Sequence, residues 1–192
     1  MRSDPWLNRW LPLIGERARA SPILELGCGE GEDTAILTGA GHRVIAIELS
    51  APAIAEARAR VPAAQFHRQD IRAPFPVSAG SVGVVVASLS LHYFAWLDTL
   101  ALANRVRDAL SPKGVLLCRL NSTNDHNYGA SGHPRIAENL YSVDGELKRF
   151  FDRESVSSLF ADGWRSLTVE ETVIYRYAQP KSVWEMVLER DA

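Results

Sequence analysis

The sequence predicts a single α/β domain built around a doubly wound, mostly parallel sheet of about seven strands. Three observations predict this architecture. Short apolar runs alternate with segments of helical period, a glycine-rich turn follows the first run, and two strand-like segments end the chain. With 192 residues the chain can bury one full core, and it is too short for two ordinary domains.

The N-terminal segment 1–21 is expected to form a helical cap on this domain. Asp4–Pro5 resembles an N-cap followed by the first helical residue, and apolar residues then recur on one face. Because a proline inside a helix costs roughly 3 kcal/mol, we expect two short helices or a kink at Pro12. Trp6 and Trp10 are expected to pack over the mouth of the sheet.

The other elements are predicted from period and turn residues. Strands are predicted at residues 22–26, 43–47, 64–69, 82–89, 115–120, 164–175 and 182–190. Helices are predicted after the glycine turn to about residue 40, from Ser50 to Val61, over residues 97–110, and after Asp152. The last predicted strand should pair antiparallel with the strand before it, at one edge of the sheet.

A polar stretch, residues 121–149, shows no clear period and is expected to be a loop. A long segment of this kind in a compact domain is usually either functional or a secondary-structure element that the sequence does not reveal. Because open α/β sheets bind ligands beyond the carboxyl ends of their strands, we expect residues 121–149 to form a lid over that edge.

Charge and composition argue against several classes of function. Lys plus Arg, 21 residues, nearly balance Asp plus Glu, 23 residues, so no basic excess indicates nucleic acid or a membrane surface as partner. No run is long and apolar enough for a membrane span, and the N-terminus has no clean apolar signal segment. The two cysteines indicate neither a disulfide framework nor a zinc site. We therefore expect a cytoplasmic protein with a small-molecule substrate, while the sequence leaves its oligomeric state open.

The segment Ile23–Glu48 reads as strand, glycine-rich turn, helix and strand, and it ends on a carboxylate. Gly27, Gly29 and Gly31 let the backbone approach a ligand, and the following helix points its N-terminal amides at the same place. Glu48 ends the second strand, where a carboxylate can accept hydrogen bonds from a ribose diol. This Rossmann-like half fits NAD and S-adenosylmethionine equally well.

Glu25, two residues before the first glycine, distinguishes between these cofactors. A carboxylate there repels a pyrophosphate and suits a ligand with an amino group and a sulfonium. The glycines are also evenly spaced, whereas the dinucleotide fingerprint places its third glycine at the position of Glu32. Both features favour S-adenosylmethionine.

Several sequence pieces at the ends of the predicted strands resemble the class I S-adenosylmethionine-dependent methyltransferases. They are ELGCGEG (25–31), IELS (47–50), QDI (69–71) and LSPKGVLL (110–117). Further pieces resemble the tellurite-resistance-type branch of small methyltransferases, namely ASLSLHYFAW (87–96), RLNSTND (119–125), KRFFD (148–152) and RYAQPKSVWE (176–185). That branch is associated with soft or metalloid nucleophiles.

The resemblance implies a cofactor pocket at the ends of the first four strands. Glu25 or the backbone around Gly27–Gly29 would hold the methionine end, and Glu48 would bind the ribose hydroxyls. Asp70 would accept a hydrogen bond from the adenine amino group; the alternative is that it only caps a loop. The complete expected set is Glu25, Gly27, Cys28, Gly29, Gly31, Glu48, Leu49, Asp70, Ile71, Ser88 and Leu89.

Methyl transfer needs the protein chiefly to align donor and acceptor and to exclude water. A general base is required only if the acceptor arrives protonated. The residues expected on the acceptor side follow the fourth and fifth strands, and they are His92, Tyr93, Arg119, Asn121 and His126. The alternative for His92 is a purely structural hydrogen bond.

The sequence thus predicts an enzyme that transfers a methyl group from S-adenosylmethionine to a small, soft or anionic acceptor such as a thiol or a metalloid oxyanion. The alternatives are a non-catalytic S-adenosylmethionine-binding sensor or partner module, and an NAD-dependent oxidoreductase. No metal site is expected, because Asp125, His126 and His133 lack a metal-ligand spacing and a fourth ligand.

Overall fold

Residues 4–191 are described by a computed structural model of the chain. In chain order the strands are β1 (Ile23–Leu26), β2 (Val44–Glu48), β3 (Gln65–Arg68), β4 (Val82–Ser88), β5 (Leu110–Asn121), β6 (Arg135–Ala137), β7 (Leu140–Val143), β8 (Glu146–Arg149), β9 (Trp164–Ile174) and β10 (Lys181–Arg190). The helices are α1 (Leu11–Arg17), α2 (Glu32–Gly39), α3 (Ala51–Arg60), α4 (Trp96–Ala109) and α5 (Arg153–Leu159). Short 3-10 helices cover Trp6–Trp10 and His126–Tyr128.

A seven-stranded sheet in the order β3-β2-β1-β4-β5-β10-β9 forms the centre of the fold. Its first five strands pair in parallel, and β10 runs antiparallel to both β5 and β9. The predicted fold class, with its antiparallel C-terminal pair, is confirmed. The strand order reverses between β1 and β4, which opens a crevice at the carboxyl edge where such sheets bind ligands.

Two apolar cores lie against this sheet. The strand β4 is buried along nearly its whole length because its valines alternate between them, as its unbroken apolar run predicted. Val85 belongs to one core with Leu102 of α4, and Val86 belongs to the other with Ile14 of α1 and Ile54 of α3. Each such side chain contributes about 1.5–3 kcal/mol through burial.

The N-terminal segment forms two short helices, as Pro12 predicted. The 3-10 helix leads directly into α1, and Pro12 lies in the first turn of α1, where its missing N–H needs no partner. The prediction that Asp4 caps a helix is wrong, because no side chain caps Trp6–Trp10 and the Asp4 carboxylate pairs with Arg119 instead. Residues 1–3 of the expected cap lie outside the described residues.

The prediction of an unstructured loop over residues 121–149 is wrong. The segment contains a small antiparallel sheet, β6-β7-β8, whose strands of three or four residues are too short to show a period. The amide of Arg149 donates to the carbonyl of His92 at 2.7 Å, and the amide of Phe151 donates to the carbonyl of Asn121 at 2.8 Å. The small sheet therefore lies beside the carboxyl edge of the large one.

The remaining boundaries follow the prediction with one larger difference. The strand β5 begins at Leu110 and not at Val115, because the turn residues 111–114 form an irregularity within its pairing with β4. Asp152 caps α5 as predicted, and the Ser155 side chain completes a reciprocal capping box. Across residues 4–191, no helix has the length and apolar character that a membrane crossing requires.

Candidate functional site at the carboxyl edge of the sheet

A cleft of about 830 Å³ opens at the carboxyl edge of the sheet, beside the glycine turn. Seven of the residues expected to bind the cofactor line this cleft, namely Gly27, Gly29, Glu48, Leu49, Asp70, Ile71 and Leu89. They come from the ends of four neighbouring parallel strands, β1, β2, β3 and β4. Three of the four pieces that resemble class I methyltransferases, residues 25–31, 47–50 and 69–71, therefore meet in space, together with the piece 87–96.

The glycine turn places the backbone against the cleft. Gly27 and Gly31 have φ angles of +71° and +80°, which side chains rarely allow. A Cβ atom on Gly27 would lie 2.6 Å from Cβ of Ser90, and one on Gly31 would lie 3.1 Å from Cβ of Ala57. Conformation and close contact both require glycine at these two positions.

Glu48 connects the glycine turn with the end of β2. Its Oε2 accepts the Gly29 amide at 3.0 Å, and its Oε1 accepts the Ser50 amide at 2.7 Å. The carboxylate is half-buried and lines the cleft. Because the two amides fix its orientation, its remaining lone pairs are free to accept hydrogen bonds from a diol.

Asp70 is held in place by Arg72, two residues further along. The guanidinium Nη2 lies 2.6 Å from Oδ2 of Asp70, and the Arg72 amide donates to Oδ1 at 2.8 Å. These hydrogen bonds hold the pKa of Asp70 below its usual range. Asp70 therefore stabilises its own loop and also presents an ionised carboxylate to the cleft.

Glu25 lies beneath the glycine turn and does not line the cleft. Its side chain is buried, and its Oε2 accepts a hydrogen bond from Thr34 Oγ1 at 2.5 Å. Burial, followed by the negative charge of Asp33, raises the pKa of Glu25 to about 8. No ion pair among residues 4–191 includes Glu25. Its carboxyl is therefore mostly protonated at neutral pH, and a cation above it would favour ionisation.

Three further residues of the expected cofactor set do not line the cleft: Cys28, Gly31 and Ser88. Cys28 is buried within the turn, and burial raises the pKa of its thiol, followed by the negative charges of Glu25 and Glu48. Ser88 ends β4 and is half-buried.

Trp6 links the N-terminal segment to the start of α2, a contact that the sequence analysis missed. Its Nε1 lies 3.0 and 3.1 Å from the two carboxylate oxygens of Asp33. Burial raises the pKa of Asp33 to about 6, although the Trp6 hydrogen bond acts in the opposite direction. The sequence around Trp6 carries no local pattern that would predict a hydrogen bond to Asp33, 27 residues away.

Arg119 lies inside β5 and outside the cleft, although it was expected on the acceptor side. Its Nε donates to Glu185 at 2.8 Å, it pairs with Asp4, and its guanidinium carbon lies 4.3 Å from the ring centroid of Trp6. Its side chain is only 3 % exposed. These contacts give Arg119 a structural role that joins the N-terminal segment to β10.

His92 and Tyr93 follow β4 and lie in different environments. Tyr93 lines the cleft, while His92 is buried behind it with its ring 4.3 Å from that of Tyr93. His92 Nδ1 is buried without a hydrogen-bond partner in the described structure. Burial, followed by the positive charges of Lys181 and Lys148, lowers the pKa of His92 well below its usual range. The imidazole is therefore neutral.

Asn121 and His126 are separated by the structure. Asn121 is buried at the end of β5, where its Nδ2 donates to the Arg149 carbonyl at 3.4 Å while its Oδ1 has no partner in the described structure. His126 is exposed in the second 3-10 helix and does not line the cleft. Asn121 and His92 thus both lie beside the backbone of Arg149, and His126 stays at the surface.

Lys181 and Tyr177 also lie beside this region, although the sequence analysis did not single them out. Lys181 Nζ lies 2.6 Å from Oδ2 of Asp125, so the residue considered as a metal ligand is instead part of a buried ion pair. The ammonium also lies 5.9 Å from the ring centroid of Tyr177. Both residues belong to the RYAQPKSVWE piece, which was the available signal.

Comparisons with known proteins support the resemblance to methyltransferases. Residues 23–114 match a family model described as a methyltransferase domain. The chain is 36% identical over 103 residues to the trans-aconitate 2-methyltransferase of Paracidovorax citrulli, a match that covers 53% of this chain and 39% of that protein. It is 37% identical over 101 residues to the enzyme of the same name from Escherichia coli K12, covering 51% and 38%. The matches thus span about two fifths of these relatives.

Solved structures share the fold over nearly the whole chain. A Methanosarcina mazei protein described as an S-adenosylmethionine-dependent methyltransferase superposes with a TM-score of 0.75, 15% identity, and coverage of 94% of this chain and 97% of that one. A Burkholderia thailandensis 1,6-didemethyltoxoflavin-N1-methyltransferase, solved with bound 1,6-didemethyltoxoflavin and S-adenosylhomocysteine, gives a TM-score of 0.72 at 18% identity, covering 98% of this chain and 82% of that one. At such identities the likeness establishes the fold alone. The class I resemblance is supported, and the finer resemblance to the tellurite-resistance-type branch stays a prediction.

Proposed function

We propose that this chain is a methyltransferase that transfers the methyl group of S-adenosylmethionine to a small acceptor. The observation that carries the proposal is the Glu48 carboxylate, fixed between the amides of Gly29 and Ser50 at the mouth of the glycine turn. The family match over residues 23–114 covers the strands that make this site and supports the same cofactor.

The cleft fits the adenosine part of S-adenosylmethionine. Its volume of about 830 Å³ lies within the usual range of small-molecule sites. Glu48 would bind the ribose hydroxyls, and Asp70 would accept from the adenine amino group. Leu49, which is 61% exposed, and Ile71 would enclose the adenine ring between them. Leu49 exposes a large apolar side chain to water in the cleft, and packing against the flat adenine ring would bury it.

The methionine end would lie at the glycine turn, above Glu25. The amides at the start of α2 would bind its carboxylate. The buried Glu25 would face its ammonium and sulfonium, and their positive charge would stabilise the ionised carboxylate. When bound here, S-adenosylmethionine supplies a methyl group that is already activated for displacement.

The acceptor would approach from the side of Tyr93 and the β7–β8 turn. Tyr93, Phe94 and residues 145–147 line that side of the cleft and would exclude water. The neutral His92 is buried behind Tyr93 and would hold that side of the cleft in place, and a thiolate or an oxyanion acceptor would need no base. We propose a small, soft or anionic acceptor. The tellurite-resistance-type resemblance supports a thiol or metalloid oxyanion, and the names of the curated relatives support a carboxylate.

Two experiments test the proposal. Calorimetric titration with S-adenosylhomocysteine and with NAD should show binding of the first only, and binding of NAD alone would contradict it. A transfer assay with a labelled methyl donor should then label at least one member of a panel of thiols, metalloid oxyanions and small carboxylates. A tight S-adenosylhomocysteine complex that labels nothing would favour the non-catalytic binding module.

A further inference from the structure

The connection between β4 and α4 carries Tyr93 into the cleft. Residues 89–95 of this connection form neither helix nor strand. Tyr93 and Phe94 line the cofactor cleft there, on the side proposed for the acceptor. A segment without regular structure keeps one conformation when its backbone groups find partners elsewhere in the molecule. The partners of its carbonyls therefore decide how firmly Tyr93 is held.

Arg149, at the end of β8, binds the two carbonyls that flank Tyr93. Its amide donates to the carbonyl of His92 at 2.7 Å, and its Nε donates to the carbonyl of Phe94 at 3.2 Å. Its Nη1 donates to the carbonyl of Glu138, which lies between β6 and β7, at 3.2 Å. One residue thus fixes the backbone on both sides of Tyr93 and ties it to the small sheet.

The surroundings of Arg149 direct its guanidinium to these carbonyls. The residue is 7% exposed, and its guanidinium carbon lies 5.6 Å from the ring centroid of Trp96. No ion pair found within residues 4–191 includes Arg149. A guanidinium carries its N–H donors in a rigid plane, so several carbonyls can fix it in one orientation. Arg149 therefore acts as a clamp on the backbone and not as half of a salt bridge.

Arg105 on α4 makes the same kind of contact on the other side of the cleft. Its Nη1 donates to the carbonyl of Arg72 at 2.5 Å. Its Nη2 donates to the carbonyls of Ile71 at 2.8 Å and Ala73 at 2.6 Å. Ile71 and Arg72 line the cleft on the side proposed for adenine. Arg105 therefore clamps the adenine side.

The two clamped segments are held by separate hydrogen bonds. Within the described structure, Arg105 and Arg149 share no hydrogen-bond acceptor. The segments touch where the guanidinium carbon of Arg72 lies 5.0 Å from the ring centroid of Phe94. The Arg72 side chain is 53% exposed, and a cation–π contact at an exposed site is weak. This contact transmits little from one side of the cleft to the other.

We propose that Arg149 is a positioning residue that holds Tyr93 for the acceptor, and that Arg105 independently holds the adenine side of the cleft; this inference rests on the proposed function. Arg149 acts through the backbone of its neighbours and does not itself line the cleft. Only a planar fork of donors reaches several carbonyls at once, whereas a lysine ammonium is a compact point charge. Loss of one clamp should therefore free one side of the cleft and leave the other in place.

Fluorine NMR of protein labelled with 3-fluorotyrosine observes Tyr93 directly and needs no acceptor. The chain has five tyrosines, and the resonance that is absent in Tyr93→Phe belongs to Tyr93. In Arg149→Met this resonance should move toward the position of free 3-fluorotyrosine, because residues 89–95 gain conformational freedom. Calorimetric titration of the same variant with S-adenosylhomocysteine should give an affinity within about twofold of that of the original protein.

The other variants test the division of the cleft and the need for arginine. Arg105→Met should bind S-adenosylhomocysteine about tenfold more weakly, the scale of lost hydrogen bonds, and should leave the Tyr93 resonance in place. Arg149→Lys keeps the charge and loses the fork, so its Tyr93 resonance should move as in Arg149→Met. Arg43→Met, which alters an exposed arginine at the start of β2, is the matched control and should change neither measurement.

Methyl transfer connects the clamp with the acceptor. For a panel compound that the original protein methylates, kcat at saturating S-adenosylmethionine should fall by about tenfold or more in Arg149→Met, since the reacting groups lose their alignment. The same rate in Arg43→Met and in the original protein provides the reference. An unchanged kcat beside a moved Tyr93 resonance would limit Arg149 to a structural role and overturn its positioning role.

The outcomes separate this inference from the proposed function. Absence of S-adenosylhomocysteine binding to the original protein would contradict the proposed function, while the fluorine spectra would still decide whether Arg149 holds Tyr93. An unmoved Tyr93 resonance in Arg149→Met, or its full recovery in Arg149→Lys, would overturn the clamp. Equal losses of affinity in Arg149→Met and Arg105→Met would overturn their independence. Circular dichroism checks the fold of each variant, and if Arg149→Met is unfolded, the Tyr93 resonance of Arg149→Lys decides alone.

Discussion

At the scale of single residues, the site depends on carboxylates whose surroundings give them different properties. Glu48 is oriented by two amides, Asp70 is kept ionised by Arg72, and Glu25 is kept protonated by burial. The same chemical group can therefore bind a diol, accept from an amino group or respond to a nearby cation. Three predictions belong to this scale.

Replacing Glu48 with alanine should weaken binding of S-adenosylhomocysteine by about 1–3 kcal/mol, the scale of lost hydrogen bonds to a charged group. Calorimetric titration measures the change. Glu30→Ala is the matched control, since Glu30 is an exposed acid in the same turn. Unchanged affinity in Glu48→Ala would show that the ribose is held elsewhere.

Replacing His92 with alanine should lower the rate of methyl transfer while the affinity for S-adenosylhomocysteine stays constant, because His92 packs behind Tyr93, which lines the cleft on the side proposed for the acceptor. Transfer assays and calorimetry on one preparation measure both quantities. A loss of both together would instead indicate the purely structural role for this histidine.

Glu25 should make the protein less stable as pH rises. Its pKa is about 8 when folded and 4.5 in the reference state, so between these values the folded protein holds a proton that the unfolded chain has lost. The free energy of unfolding therefore falls across this window, and Asp33, with a pKa of about 6, acts in the same direction at the lower end. Urea unfolding from pH 5 to pH 8 checks the sign.

Glu25→Gln mimics the protonated carboxyl and provides the comparison. It should flatten the decline and be more stable than the original protein near pH 8. A decline of equal steepness in Glu25→Gln would mean that another group titrates in this window.

At the scale of elements, the sequence predicts a helix or strand well when its hydrophobic pattern extends over many residues. It also predicts well the positions of residues with a restricted conformational role, such as a proline or a helix N-cap. The strand β4, the capping of α5 by Asp152 and the break at Pro12 followed from the chain itself. The strands β6 to β8 did not, because three or four residues cannot establish a period. The N-cap assigned to Asp4 failed because a tertiary ion pair with Arg119 outweighed a local cap.

We expect the hydrogen bond from Trp6 to Asp33 to stabilise the packing of the N-terminal segment against α2. Trp6→Phe keeps the aromatic packing and removes the Nε1–H donor to Asp33, so the free energy of unfolding should fall by about 1–3 kcal/mol. Urea unfolding at pH 8 measures it. Trp10→Phe is the matched control, because the Nε1 of Trp10 has no partner in the described structure. If Trp6→Phe and Trp10→Phe lower the free energy of unfolding equally, the hydrogen bond from Trp6 to Asp33 does not stabilise the protein.

At the scale of the whole molecule, the sequence predicted the fold and the cofactor side of the site better than the acceptor side. Gly27, Glu48 and Asp70 lie at strand ends, and parallel strands bring their carboxyl ends to one edge, so sequence order becomes spatial proximity. The acceptor side needs distant contacts such as Lys181 with Asp125. Such contacts between segments 56 residues apart have no local signal, and Arg119 was misplaced for the same reason.

Ligand binding should stabilise the whole fold, because the cleft is built from the ends of the central strands and is lost on unfolding. With S-adenosylhomocysteine at a hundred times its dissociation constant, the free energy of unfolding should rise by about 2.7 kcal/mol. Urea unfolding with and without ligand measures the rise, and NAD at the same concentration should produce none. A rise with NAD alone would favour the oxidoreductase.

The hydrogen bond from the Arg149 amide to the His92 carbonyl gives the molecule a built-in reporter. It joins the small sheet to the large one, so any movement of β8 away from the carboxyl edge must break it. When it breaks, that amide proton meets water and exchanges, whereas the amides of β4 remain protected by the central sheet. The hydrogen-exchange rate of the Arg149 amide therefore reports how often the acceptor side opens, and the measurement does not require the acceptor to be identified.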